Sequence, residues 1–455
     1  PQKALEYYEK ALPIRQEVGD RSGKATTLDN IGGVYSQIGQ PQKALEYYEK
    51  ALPIRQEVGD RSGEATTLNN IGLVYNTIGK PQKALEYYEK ALSISQEVES
   101  YSVEATTLIN IGAVYNTIGQ PQKALEYYEK ALPIRQEVGD RSGEATTINN
   151  IGAVYNSIGK PQKALEYYEK ALPILQEVGD RSQEASTLNN IGVVYDNIGK
   201  PQKALEYYEK ALPISQEVGA RSQEATTLNN IGGVYSDIGQ PQKALEYYEK
   251  ALPITQEVGD RSGEATTLNN IGGVYRSIGK PQKALEYYEK ALPIWQEVGD
   301  RSGEATTINN IGAVYNSIGK PQKALEYYEK ALPIRQEVGD RSGEASTLNN
   351  IGVVYRDSNQ PEKAIEHLEK SVKITLEIRG GLKKENRKTF LEDNRNRIRP
   401  IALIDLLIDQ NQPEAAWKWY NLATTFGLAD YTRLINAKVK NPEAQKLINQ
   451  WEQNN

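Results

Sequence analysis

Apolar residues recur along this chain as two alternating helical stripes. Ala25, Leu28, Ile31, Gly32, Tyr35 and Ile38 follow one another at steps of one, three or four, which places them on one face of a helix of about four turns, here called helix A. Ala44, Leu45, Tyr48, Ala51 and Leu52 form the stripe of a second helix, B, and Glu46 and Lys50 make a favourable i,i+4 pair on another of its faces. Punctuation agrees with the stripes: Ser62 with Glu64 predicts the start of the next helix A, while Gly79 followed by Pro81 predicts its end and the start of the next helix B. Each A–B unit is therefore expected to fold as a helical hairpin.

The unit repeats. The segment PQKALEYYEKAL begins at Pro1, Pro41, Pro81, Pro121, Pro161, Pro201, Pro241, Pro281 and Pro321, and a decayed copy, PEKAIEHLEKSV, begins at Pro361, so the period is 40 residues without slippage. A fixed period of this size marks an array in which each unit buries its apolar faces against its neighbours. The expected organisation is an orphan helix B at 1–18, nine hairpins at 19–378, a basic segment with a degenerate capping hairpin at 379–426, and two short helices within 427–455. The chain contains no methionine and opens on Pro1 inside its own repeat, which reads as a fragment with a missing upstream part and a missing downstream domain.

The spacing Leu28-x2-Ile31-Gly32-x2-Tyr35, followed by Ala44-x3-Tyr48 and Ala51, resembles the tetratricopeptide repeat (TPR), with leucine in the family's tryptophan slot. The resemblance implies an all-α fold, a right-handed α-solenoid superhelix, and the longer period is similar to that of kinesin-light-chain-like TPRs. Packing explains the pattern: Gly32 and Ala44 are small where two helices cross, and Tyr35 and Tyr48 fill the space beside them. The second tyrosine of each Tyr-Tyr pair reads as core and the first as packing between repeats, with His367 in the first-tyrosine slot at the end of the array. Pro53 and its counterparts lie well inside helix B, where a proline costs roughly 3 kcal/mol in a straight helix, so a bend is expected. The third copy has Glu99-Ser100-Tyr101 in place of Gly-Asp-Arg, which predicts a local irregularity.

Projected at 100° per residue, Thr26, Asn30, Gly33 and Gln37 share the face of helix A opposite the buried stripe. In TPR superhelices this face lines the concave groove. The asparagine row is unbroken: Asn30, Asn70, Asn110, Asn150, Asn190, Asn230, Asn270, Asn310 and Asn350. It resembles the ladder with which related arrays hold a peptide main chain, since an amide both donates and accepts. Thr or Ser, as at Thr146, Thr226 and Thr266, flanks it on one side and small or apolar residues on the other. Asp237 and Asp357 are the charged exceptions in a groove expected to lack the lysines and arginines that clamp a terminal carboxylate. The alternative for the asparagines is structural, a bridge between neighbouring helices. The fifteenth position of the unit differs between copies (Arg15, Arg55, Ser95, Arg135, Leu175, Ser215, Thr255, Trp295, Arg335), and Trp295 reads either as an exposed anchor for a ligand or as a residue packed at the bend of helix B.

Composition narrows the function. There is no cysteine and one histidine, so a thiolate metal site, a cysteine nucleophile or a Ser-His-Asp triad has almost nothing to be built from; no catalytic residue, metal or cofactor is expected. A net charge of −6 argues against nucleic acid, no stretch approaches the length of a membrane span, and the lack of cysteine fits the cytoplasm. The cluster Arg379, Lys383, Lys384, Arg387, Lys388, Arg395, Arg397 and Arg399 is interrupted by acids and reads as a solvated helix face.

Towards the end, Glu385-Asn386-Arg387, Ala416-Trp417-Lys418-Trp419-Tyr420 and Leu428-Ala429-Asp430-Tyr431-Thr432-Arg433-Leu434-Ile435 resemble the segment that joins TPR arrays to caspase-like CHAT domains in cyanobacterial proteins. The resemblance implies a protease-like domain beyond Asn455. The expected function is a protein- or peptide-binding scaffold, the recognition or regulatory arm of a larger protein, whose alternative is a structural spacer that associates end to end through an exposed terminal repeat.

Overall fold

A computed structural model of the chain describes residues 1–381 and 394–424. Among them twenty-one helices alternate with tight turns and there is no strand. Helix α1 (Gln2–Glu17) stands before nine hairpins that run from α2 (Arg21–Gln37) and α3 (Pro41–Glu57) to α18 (Arg341–Asp357) and α19 (Pro361–Gly381). A further pair, α20 (Asn394–Asp409) and α21 (Pro413–Thr424), follows. The fold is the all-α solenoid of helical hairpins that the period demands. The chain divides into two compact units, Pro1–Asn230 and Ile231–Asn455. The expected helices at 428–438 and 442–453, the motif around Leu428, and most of the basic cluster lie outside the described residues.

The turn from helix B to helix A is built alike in most copies. Asp60 caps α4 (Arg61–Thr77) by accepting from the Gly63 N–H at 2.9 Å, and Gly59 takes φ +70°, a conformation open to glycine at little cost. The cap is Asp60 and not Ser62, which belongs to the first turn of the helix. In the third copy the backbone hydrogen bonds of the turn persist, with Ser100 N–H reaching the Ser95 carbonyl at 2.8 Å as Asp60 N–H reaches Arg55 at 2.9 Å. The irregularity expected there is confined to chemistry: Glu99 is held at φ +52°, and the Ser100 side chain caps nothing. Helix B also runs on through Pro53 to Glu57, and Val58 N–H still reaches the Ile54 carbonyl at 3.0 Å.

The residues that lengthen the unit beyond an ordinary TPR staple three helices together. Glu64, 4% exposed, accepts from Gln56 Nε2 of the preceding helix B at 2.8 Å and from Arg61 at 2.5 Å, and Arg61 reaches on to Glu97 of α5 (Pro81–Glu97) at 2.8 Å. Where Tyr101 replaces that arginine, Glu104 keeps only the bond from Gln96 and is less buried.

Both stripes face inward as their spacing requires. A Cβ on Gly32 would lie 2.8 Å from Cε1 of Tyr48, so the crossing of the two helices has no room for a larger residue. The second tyrosine of each pair is core, and burial pushes the Tyr48 phenol up to about 12, with the Asp29 charge adding to the shift. The first tyrosine differs from expectation: Tyr47 stacks on Tyr35 of its own hairpin at 5.5 Å, with Lys43 and Lys50 about 5 Å above the two rings. His367 takes over that role against Tyr355, half-buried, rather than lying loose on the surface.

The last hairpin caps the array. Leu403, Ile404, Leu407, Ala416 and Tyr420 bury against Ala364, Leu368 and Val372, and Trp419 Nε1 donates to Glu369 at 3.1 Å. Arg379 and Arg399, the two ends of the basic cluster, are buried and not solvated.

Candidate functional site

The Asn-Asn dipeptide at the centre of helix A divides two tasks. The first asparagine, which the projection left aside, accepts from the next repeat: Asn69 Oδ1 takes Thr107 Oγ1 at 3.2 Å and Asn110 Nδ2 at 3.0 Å. The same relay joins Asn189 to Thr227 and Asn230, Asn269 to Thr307 and Asn310, and Asn309 to Thr347 and Asn350. Asp29 stands at this position in the first repeat and pairs with Arg55 at 2.8 Å; burial pushes its carboxyl up despite that partner. The sequence did carry the signal, since residue 29 projects beside Ala25 and Gly32, but its partners appear only when repeats stack.

The second asparagine of each dipeptide is the ladder residue. Asn110, Asn230, Asn310 and Asn350 each spend one N–H on the relay and retain a second N–H and a carbonyl oxygen. Asn30, Asn70, Asn150, Asn190 and Asn270 make no internal side-chain hydrogen bond; Asn30 is exposed and the other four are half-buried. Both readings of the row therefore have a physical counterpart, because some of these amides bridge helices while all keep capacity for an outside partner.

Two cavities open on this face, one in each unit. In the first unit a space of about 200 Å³ is lined by Asn189, Asn190, Thr226, Thr227 and Gln223. Gln223, which replaces a glycine of other copies, donates to Ser186 Oγ at 2.8 Å and leaves its buried Oε1 without a partner. Gln183, one repeat earlier, holds Thr146 Oγ1 at 2.9 Å, so that hydroxyl is engaged inside the protein. Thr266 Oγ1 likewise donates to the Ser262 carbonyl at 2.9 Å. Asp237 is exposed at the last turn of its helix, where its charge adds to the burial that raises the Tyr248 phenol.

In the second unit a space of about 460 Å³ is lined by Asn309, Asn310, Asn349, Asn350 and three arginines, Arg276, Arg335 and Arg399. This corrects the expectation of a groove without basic residues. Arg276 stands one position short of the projected row, Arg335 reaches in from helix B, and Arg399 comes from the cap.

Trp295 is corrected as well. It is 7% exposed and packs on Leu268, Ala291 and Ile294, with its indole against Gly303, where an added Cβ would come within 2.5 Å of the ring. It is a core residue and not an exposed anchor. The fifteenth position of the unit thus packs against the twenty-third, eight residues on.

No group of three or more His, Cys, Asp or Glu side chains is placed to hold a metal ion among the described residues, and no helix among them is long and apolar enough to cross a membrane. On α1, Tyr7, Ile14 and Val18 are exposed.

A solenoid of paired helices with a small glycine at each crossing and an amide-lined face defines a repeat-array protein. The tetratricopeptide repeat model matches residues 1–57, 63–137, 143–217, 223–297 and 303–377, and the chain belongs to that family. The Sel1 repeat model matches residues 406–425, within the capping hairpin. No curated protein shows a sequence match. Among solved structures, the chain is similar to a signal-transduction ATPase (STAND) with a tetratricopeptide repeat sensor from Pyrococcus horikoshii, at 16% identity and TM-score 0.55, covering 84% of this chain and 55% of that one. It is also similar to the apo form of the quorum sensor NprR from B. thuringiensis (16%, TM-score 0.53, 73% of this chain and 98% of that one) and to the apo form of RapI (19%, TM-score 0.50, 61% and 99%). At these identities the likeness is one of fold.

Proposed function

We propose that the array is a peptide-binding module in which the A-helix face of each unit holds an extended protein segment through the second amide of its Asn-Asn pairs. The observation that carries this reading is the placement of a cavity in each unit on the A-helix face, with both asparagines of the Asn-Asn pair in its lining. Paired donors and acceptors at a fixed spacing suit a main chain whatever its side chains, so the module binds with modest sequence preference. A sensor role for the related arrays of the STAND protein and NprR is in keeping with this. In the full protein the array is the recognition or regulatory arm of a larger chain that carries a CHAT domain, as the motifs near its end imply.

The test is selection from a library of random peptides by the chain and by a triple variant, Asn150→Ala, Asn190→Ala and Asn270→Ala. These three amides have no internal side-chain partner, so their loss leaves the relay intact. Loss of binding with unchanged helical content and melting supports the groove; unchanged binding refutes it. A second reading, end-to-end association, rests on the exposure of Tyr7 and Ile14, 71% and 60%. It fails if sedimentation finds a monomer over a wide concentration range.

A further inference from the structure

We infer that the cavity beside Gln223 in the first unit takes up a primary amide, the side chain of an asparagine or glutamine in the bound peptide. The inference rests on the peptide-binding reading and adds to it a residue preference at one repeat.

Gln223 stands on α12 (Arg221–Asp237), at a position where six other copies have glycine: Gly23, Gly63, Gly143, Gly263, Gly303 and Gly343. Its side chain crosses to α10 (Arg181–Asn197) of the preceding repeat. There the Ser186 hydroxyl donates to the Ser182 carbonyl at 3.2 Å, so its oxygen accepts from Gln223 Nε2 at 2.8 Å, and the amide is held with its nitrogen towards Ser186. Oε1 is left buried and without a partner. Gln183, one repeat earlier, makes the same crossing but has both amide atoms within 3.0 Å of Thr146 Oγ1. A buried acceptor costs free energy until a donor meets it, so the two glutamines differ in what they still require.

The lining decides what kind of donor fits. Neighbouring hydroxyl protons are spent inside the protein: Thr226 Oγ1 donates to the Ser222 carbonyl at 3.0 Å and Thr227 Oγ1 to Asn189 Oδ1 at 3.2 Å. Asn190, in the same lining, has no internal side-chain bond and keeps both a donor and an acceptor. No charged side chain lines the space. An ammonium or guanidinium would enter it without a counter-ion, and a carboxylate would meet the Gln223 oxygen with no cation to offset its loss of water. A neutral group that donates to Gln223 and accepts from Asn190 satisfies both walls. A primary amide carries its N–H and C=O on separate atoms and serves two such partners at once. The space is about 200 Å³, more than the ~150 Å³ that takes up a benzene ring, so a side chain of this size has room.

The full chain, Gln223→Leu and Gln183→Leu are challenged with a synthetic library of random peptides. Both substitutions remove a crossing glutamine, but only Gln223 lines the cavity, so the two variants should melt alike and bind differently. Peptides selected by the unaltered chain should carry Asn or Gln at one fixed position. Replacing that residue by Leu should weaken their binding to the unaltered chain and to Gln183→Leu about tenfold, the size of one to two neutral hydrogen bonds, and should have little effect with Gln223→Leu. If Gln223→Leu melts lower than Gln183→Leu, Gln223→Gly, which brings in the residue of six other copies, takes its place in the comparison. Binders that depend on Asn190 but show no such position, or whose amide matters equally to Gln223→Leu, overturn the inference and leave the groove reading standing. Without any binder, both fall.

Discussion

The paired glycines of α14 (Arg261–Ser277) offer the sharpest test of how the hairpins are held. Gly272 and Gly273 are adjacent helical glycines, and intrinsic propensity alone predicts that alanine at either would stabilise the helix by about 1 kcal/mol. The structure separates them. A Cβ on Gly272 would fall 2.7 Å from Cε1 and 2.8 Å from Cδ1 of Tyr288, against the 3.5–4.0 Å of an ordinary carbon contact. Tyr288 is 0% exposed and has nowhere to retreat, so the cost belongs near the upper end of the range for overpacking, ~3 kcal/mol. Set against the propensity gain, Gly272→Ala should destabilise by about 2 kcal/mol. A Cβ on Gly273 meets only the Tyr288 hydroxyl at 3.7 Å, so Gly273→Ala should stabilise by up to about 1 kcal/mol. Repeat arrays need not unfold in one step, so the assay is native-state hydrogen exchange read at the amides of α14 and α15 (Pro281–Val298). Equal signs for the two variants, or slower exchange in Gly272→Ala, would refute the account of the crossing.

Three further outcomes follow from the same construction. The phenols of Tyr48, Tyr128, Tyr168 and Tyr328 are raised by burial to about 12 from an ordinary 10.0. Their folded values exceed the unfolded one, so their contribution is complete below pH 10 and is lost as pH rises towards 12, at ~2.7 kcal/mol each; helicity and tyrosinate absorbance should change together, and ionisation of these rings with helices intact would contradict their burial. In the third copy, Glu99→Gly should relieve a left-handed backbone and Ser100→Asp should restore the missing cap, each raising stability by about 1 kcal/mol in urea titrations. Glu144→Ala removes a buried acceptor from Gln136 and Arg141 and should cost about 1–3 kcal/mol, whereas Glu104→Ala, which loses one bond to Gln96, should cost about 0.5 kcal/mol; equal losses would show that the arginine of the staple contributes nothing.

The fold was legible because one hairpin carries its full specification. The stripe Ala25, Leu28, Ile31 and the small residue at each crossing follow from helix period and side-chain volume, and eight further copies repeat the message. The caps were legible in type but not in register, since Asp60 and Ser62 both satisfy the preference for a short polar residue and only the positive φ of Gly59 decides between them. The candidate site was less readable. A helical projection treats helix A as isolated, so it found Asn30 and missed Asn69, whose partners Thr107 and Asn110 lie a full period away. It also missed Arg276, Arg335 and Arg399, which no single helix brings together.

The variable fifteenth position shows why variation alone misled. Its side chain faces the twenty-third position where that is glycine, and in most copies the two exchange volume: Arg55, Arg135, Arg335 and Trp295 stand against Gly63, Gly143, Gly343 and Gly303, while the copies with Ser95, Leu175 and Ser215 carry Val103, Gln183 and Gln223. Thr255 with Gly263 departs from the trade, its methyl lying 3.2 Å from where a Cβ would be. The first constraint on this pair is packing, which is why Trp295 is buried. Yet the same pair sets what the groove presents, because Gln223 and Arg335 both line cavities on the A-helix face. Exchange of volume between two positions thus carries an exchange of chemistry, an uncharged amide wall in one unit and a guanidinium in the other. An array of near-identical repeats can differ along its length in what it holds while the helical hairpin that carries it is kept.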